Sequence, residues 1–150
     1  ASHKPEYKIV LVGNSSDSQT LKNIFLTESK SYVNTLGKLD LNQLIDLIKY
    51  SKLVISHDSS IMHISSVLNK QQIALYGPTD IVRTGPVGKN ASILLSKTKY
   101  LHAMKNFEYS EYQLSKLSEN YELMSNISVN QVYDTLDKLL NKDKNLNNYT

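Results

Sequence analysis

Short apolar runs alternate with helical periodicities along most of this chain. Residues 8–12 read as a buried strand that stops at Gly13. The polar stretch 14–18 leads into a helix through about residue 28, and 32–35 suggest a short strand. Asp40, with Gln43 three residues later, has the spacing of a capping box. Leu41, Leu44, Ile45 and Ile48 then recur at i, i+3, i+4, i+7, so one helix face is apolar. Residues 53–56 predict a second strand, and Ile61, Ile64, Ser65 and Leu68 a second helix face. Residues 72–76 predict a third strand, ended by Gly77-Pro78, and 93–95 a further one. A last helix opens at Ser128-Val129-Asn130-Gln131, again a capping box, with Val129, Val132, Tyr133, Leu136 and Leu140 on its core face. Between 96 and 126 the pattern is loop, with one helix around 110–117.

Strands and helices alternating at this spacing imply parallel strands joined by crossovers, with helices covering both faces of the sheet. The expected fold class is α/β, a Rossmann-like parallel sheet with helices on both faces. The folded domain is expected over residues 6–141. Residues 1–5 read as disordered or foreign to the natural chain, and 142–150 as a disordered Asn- and Lys-rich tail. In such sheets ligands bind beyond the carboxyl ends of the strands. The loops after residues 12, 56 and 76 are therefore the ones to inspect.

The loop after 56 reads His57-Asp58-Ser59-Ser60-Ile61-Met62-His63 and runs straight into a helix. A helix start offers unpaired N–H groups and a positive dipole end, which suits a phosphate. Ser59 and Ser60 are small enough for close approach to the backbone. Asp58 would repel phosphate but can accept from sugar hydroxyls. The same residues would serve equally as a helix cap. The loop after 76 holds Gly77, Pro78, Thr79 and Asp80, then Arg83-Thr84-Gly85-Pro86 and Gly88, either a shaped site or an ordinary turn. The first loop carries Asp17, a ribose-hydroxyl acceptor or again a cap.

Composition narrows the chemistry. With 150 residues, 40% hydrophobic and 21% charged, the chain has the size and balance of one globular domain. Cysteine is absent, which excludes disulfides, thiolate metal sites and cysteine nucleophiles within it. The net charge of +3 is scattered, and Arg83 is the only arginine, a poor match to a nucleic-acid footprint. Lys97, Lys99 and Lys105, and the tyrosines of 109–121, read as solvated or packing residues. No apolar run approaches the roughly 20 residues that span a bilayer, and no signal peptide is recognisable. The expected location is cytoplasmic, or peripheral at the inner membrane face. His57 and His63 lack the i, i+4 spacing of a helical metal pair, Ser59 and Ser60 lack a G-x-S-x-G elbow, and no Walker A or G-x-G-x-x-G loop occurs. Neither a metal nor a cofactor is expected.

The segment Leu53-Val54-Ile55-Ser56-His57-Asp58-Ser59-Ser60-Ile61-Met62-His63, followed by Ala74-Leu75-Tyr76-Gly77-Pro78-Thr79-Asp80 and Arg83-Thr84-Gly85-Pro86, resembles the C-terminal half of glycosyltransferase family 9. These are the ADP-heptose:lipopolysaccharide heptosyltransferases and their relatives. The resemblance covers residues 8–140. It implies a GT-B architecture in which the C-terminal domain holds the nucleotide-sugar donor. Carried over, Asp58 would contact sugar hydroxyls, and Ser59 and Ser60 the diphosphate, with Met62 and His63 one turn in. Gly77, Thr79 and Asp80 would face the same cleft, with Asp17 near the ribose and Leu39 near the adenine. Ser60 stands where the family usually has Gly, and Ile81 where a Pro is common. Family members are expected at about twice this length. The chain is therefore expected to be a fragment whose N-terminal domain, carrying the catalytic base and the glycan acceptor site, lies elsewhere. The implied function is donor binding in an inverting transfer to a lipopolysaccharide-core or related glycan. Two alternatives stay open: a non-catalytic α/β module, such as a receiver-like domain, and a degenerate family member without turnover.

Overall fold

The computed structural model describes residues 7–18, 21, 32–77, 79, 81–96 and 122–147. The helix expected to run to residue 28 lies almost wholly outside these, as do the helix around 110–117, Lys97, Lys99, Lys105, the tyrosines of 109–121 and both chain ends. The chain divides into two compact units, residues 1–46 and 47–150.

In the first unit β1 (Ile9–Leu11) pairs in parallel with β2 (Tyr32–Asn34), Val10 opposite Val33. Thr35 closes the end of this ladder, its Oγ1 donating to the Leu11 carbonyl at 2.7 Å. Gly37 N–H donates to the Gly13 carbonyl at 2.8 Å and has φ +67°, and a Cβ there would meet the Ser15 backbone at 2.8 Å. Only glycine fits that turn. The capping box at Asp40 is formed in both directions: Gln43 N–H donates to Asp40 Oδ1 at 2.8 Å, and Asp40 N–H to Gln43 Oε1 at 3.0 Å. It opens α1 (Leu41–Tyr50), in which the division between the units falls. Ile48 is buried and Leu44 and Ile45 half-buried, but Leu41, placed on the core face by its spacing, is exposed. It occupies the first turn, beyond the reach of the packed stripe.

The second unit holds β3 (Val54–His57), α2 (Ser60–Val67), β4 (Gln72–Tyr76), α3 (Ile81–Thr84), β5 (Ala91–Leu95), α4 (Glu122–Ser125) and α5 (Val129–Asn147). Its three strands are parallel, in the order β3-β4-β5. The alternation implied one sheet; among the described residues the ladders form two. Central β4 is buried at Gln72, Ile73, Ala74 and Tyr76, which explains its near-continuous apolar run. One face of β4 meets α2, where Met62, Ala74 and Tyr76 form a fully buried cluster. The other face carries Leu75 towards α5.

Helix α2 ends in a Schellman turn, with Lys70 N–H bonded to Ser65 O and Asn69 N–H to Ser66 O. Asn69, at φ 54°, takes the left-handed position. Helix α5 starts on the second box, Gln131 N–H to Ser128 Oγ at 3.2 Å and Ser128 N–H to Gln131 Oε1 at 2.7 Å. It continues to Asn147, past residue 141 where composition set the tail. Once a helix is nucleated, each further residue gains a hydrogen bond, so lysines and leucines among the asparagines suffice to extend it.

Candidate functional site

Because β3 and β4 are adjacent and parallel, with His57 opposite Leu75, the loops that follow them leave the same end of the sheet. Asp58 and Ser59 come to this end of the sheet from one loop, with Ser60 and His63 following at the start of α2, and Gly77 and Thr79 come from the other loop. Asp58 and Ser59 are half-buried, Gly77 is buried, and Ser60, His63 and Thr79 are exposed. Ser59 is the N-cap of α2 in extended conformation, φ −157° and ψ 170°, and its side chain makes no cap hydrogen bond. The capping role open to Ser59 is thus not taken up. The N–H groups that any helix leaves without intrahelical partners in its first turn lie beside it.

Asp58 is held by a residue that sequence reasoning left without a role. Thr84 Oγ1 donates to Asp58 Oδ2 at 2.8 Å. Beneath it, the Tyr76 hydroxyl donates to the Thr84 carbonyl at 2.6 Å and lies 2.9 Å from Met62 Sδ. Burial raises the Tyr76 phenol above its ordinary range, and the negative charge of Asp58 raises it further, while the Thr84 side chain pulls the other way. The phenol therefore stays protonated and donating at neutral pH. Thr84 lies inside a quoted motif; the signal was present, but pairing with Asp58 across 26 positions is invisible to local pattern.

Met62 was placed among the ligand contacts and is instead a core residue with no exposed surface. Its apolar side chain points from α2 onto the sheet, so it supports the site from below. Asp80 lies outside the described residues. Asp17 and Leu39 belong to the first unit. There the Asp17 carboxylate accepts the Asn14 N–H at 2.7 Å, the local capping role that its position allowed. Leu39 is half-buried just ahead of α1.

An apolar pocket of about 390 Å³ lies on the other face of the sheet, between His57 and Leu75 on the strands and Met124, Val132, Tyr133 and Leu136 on α4 and α5. Apart from His57 and Tyr133 its lining is apolar. Among the described residues no group of three or more His, Cys, Asp or Glu side chains gathers, and no helix is long and apolar enough to cross a membrane.

The family description "Glycosyltransferase family 9 (heptosyltransferase)" matches residues 1–116. The chain belongs to glycosyltransferase family 9. Lipooligosaccharide heptosyltransferase 2 of Haemophilus ducreyi is 39% identical to this family 9 chain over 94 residues, 59% of the chain and 27% of the relative. Lipopolysaccharide heptosyltransferase 2 of Escherichia coli is 30% identical over 109 residues, 70% of the chain and 31% of the relative. A solved family 9 glycosyltransferase from Veillonella parvula superposes with a TM-score of 0.71 at 25% identity, over 91% of this chain and 37% of that one. The E. coli ADP-heptose heptosyltransferase II structure gives 0.69 at 24% identity, over 92% and 38%, which supports the fold. The matched parts of the chain span about a quarter to two-fifths of these relatives' length.

Proposed function

We propose that this family 9 chain is the donor-binding part of an inverting heptosyltransferase, with ADP-heptose as donor and a lipopolysaccharide-core or related glycan as acceptor. The observation that carries the reading is the Asp58–Ser60 loop. A carboxylate fixed by Thr84 stands next to a helix start whose N-cap side chain leaves the first-turn N–H groups to a ligand. The diphosphate would lie on those N–H groups, and Asp58 would accept from sugar hydroxyls. In the transfer, the acceptor oxygen forms a bond to the anomeric carbon as the bond from that carbon to the diphosphate oxygen breaks. The acceptor proton goes to a general base, and the diphosphate leaves with the electron pair. The helix start would stabilise that developing charge. A neutral donor set with one carboxylate suits a sugar–diphosphate better than a free polyphosphate.

Titration of the chain with ADP, UDP and ADP-heptose, followed by amide chemical shifts, tests this. The expected result is saturable binding, strongest for ADP-heptose, with shifts centred on residues 58–63 and 77–79. Absence of any shift at millimolar nucleotide would overturn the reading and favour a family member that has lost donor binding. The Ser60 departure at the helix start is the residue to suspect in that case.

A further inference from the structure

The Arg83-Thr84-Gly85-Pro86 turn enters the reading above only through the Thr84–Asp58 bond, yet it is itself tightly held. Thr84 Oγ1 reaches Asp58 Oδ2 at 2.8 Å, joining the loops after β3 and β4. The Thr84 carbonyl is in turn fixed at 2.6 Å by Tyr76, whose ring has no exposed surface and cannot drift. Immediately after Thr84 the chain turns so tightly that a Cβ on Gly85 would collide with the Ile81 carbonyl. A side chain at 85 would push Thr84 away from Asp58.

We propose that Thr84 is a positioning residue for the sugar half of the donor. It holds the Asp58 carboxylate in one rotamer, through a hydrogen bond to Oδ2, so that the carboxylate is set to accept from sugar hydroxyls before the ligand arrives. Tyr76 and Gly85 keep Thr84 in place. A carboxylate offers about four acceptor positions, so one can be spent on Thr84 while the others remain for the ligand. Pre-setting the rotamer removes an ordering cost from binding. The inference rests on the donor-binding reading and extends it to residues outside the loop that touches the ligand.

The test compares ADP with ADP-heptose by calorimetry on the wild-type chain, Asp58→Ala, Thr84→Val and Thr84→Ser. Valine keeps the volume and β-branching of threonine and removes the donor; serine keeps the donor. Asp58→Ala should erase the preference for ADP-heptose over ADP. Thr84→Val should lose about tenfold in ADP-heptose affinity, the size of one hydrogen bond to a charged group, with ADP affinity unchanged. Thr84→Ser should recover most of the loss. Amide spectra of each variant establish that the fold is retained. If Asp58→Ala erases the preference and Thr84→Val leaves it intact, the positioning role fails while the donor reading stands. If Thr84→Val weakens both ligands equally, the residue is merely structural and the proposal fails. If the wild-type chain shows no preference for ADP-heptose, the donor reading fails and takes this inference with it.

Discussion

Tyr76 ends the central strand and donates a hydrogen bond to a carbonyl in the following turn. Tyr76→Phe should destabilise the chain by about 1–3 kcal/mol at pH 7, since the Thr84 carbonyl loses its donor. The phenol is raised in the folded chain, so the unfolded chain releases this proton first as pH rises. Stability is fully present below the unfolded value of about 10 and declines as pH climbs through and beyond it. The difference between wild type and Tyr76→Phe in urea melts should therefore shrink above pH 10; a constant difference would contradict the buried, protonated phenol. Met62→Ala opens a cavity against the same ring and should cost about 2–5 kcal/mol by the same melts. At this scale the sequence made Asp58 and Ser59 candidates from loop position and residue chemistry alone. It misplaced Met62, because adjacency in a motif says nothing about which way a helix turns each side chain. It passed over Thr84 because the partner that gives it meaning is distant in the chain.

Helices α1 and α5 open on reciprocal boxes, each with a glutamine reaching back to the cap residue's own N–H. Ser128→Ala removes one of these bonds and should cost about 1 kcal/mol, with amide exchange quickening at residues 129–132 before the rest of α5. Uniform acceleration along the helix would mean that packing, not the cap, sets its start. Such local devices are what a sequence shows best: both boxes, the strand at 72–76 and the apolar face of α1 are legible because neighbours a few positions apart create them. The ends are less so. α5 passes the predicted stop because no Gly or Pro punctuates it there. The strand predicted at 93–95 begins at Ala91, where Asn90 accepts the Gln72 N–H and starts the β4–β5 ladder.

Across the molecule, burial is uneven. Among the described residues every buried apolar side chain, from Ile48 through Tyr76, belongs to the second unit. Local opening is easiest where apolar contacts are few. Native-state hydrogen exchange should therefore find Val10 and Val33 amides exchanging well before those of Ile73 and Ala74; equal protection would mean that the two units unfold together. The α/β class was legible from the alternation of periods, but the number of sheets was not, since pairing depends on which strand edges meet after the chain has folded. One consequence concerns the exchange of parts between relatives. The carboxylate at 58 and the hydroxyl that steadies it sit on separate loops. On the proposed donor-binding reading, a graft that transplants residues 57–63 alone would import a reader without its brace, so chimeras made to change sugar preference would have to carry 81–86 as well, and the two loops are expected to be inherited as one cassette.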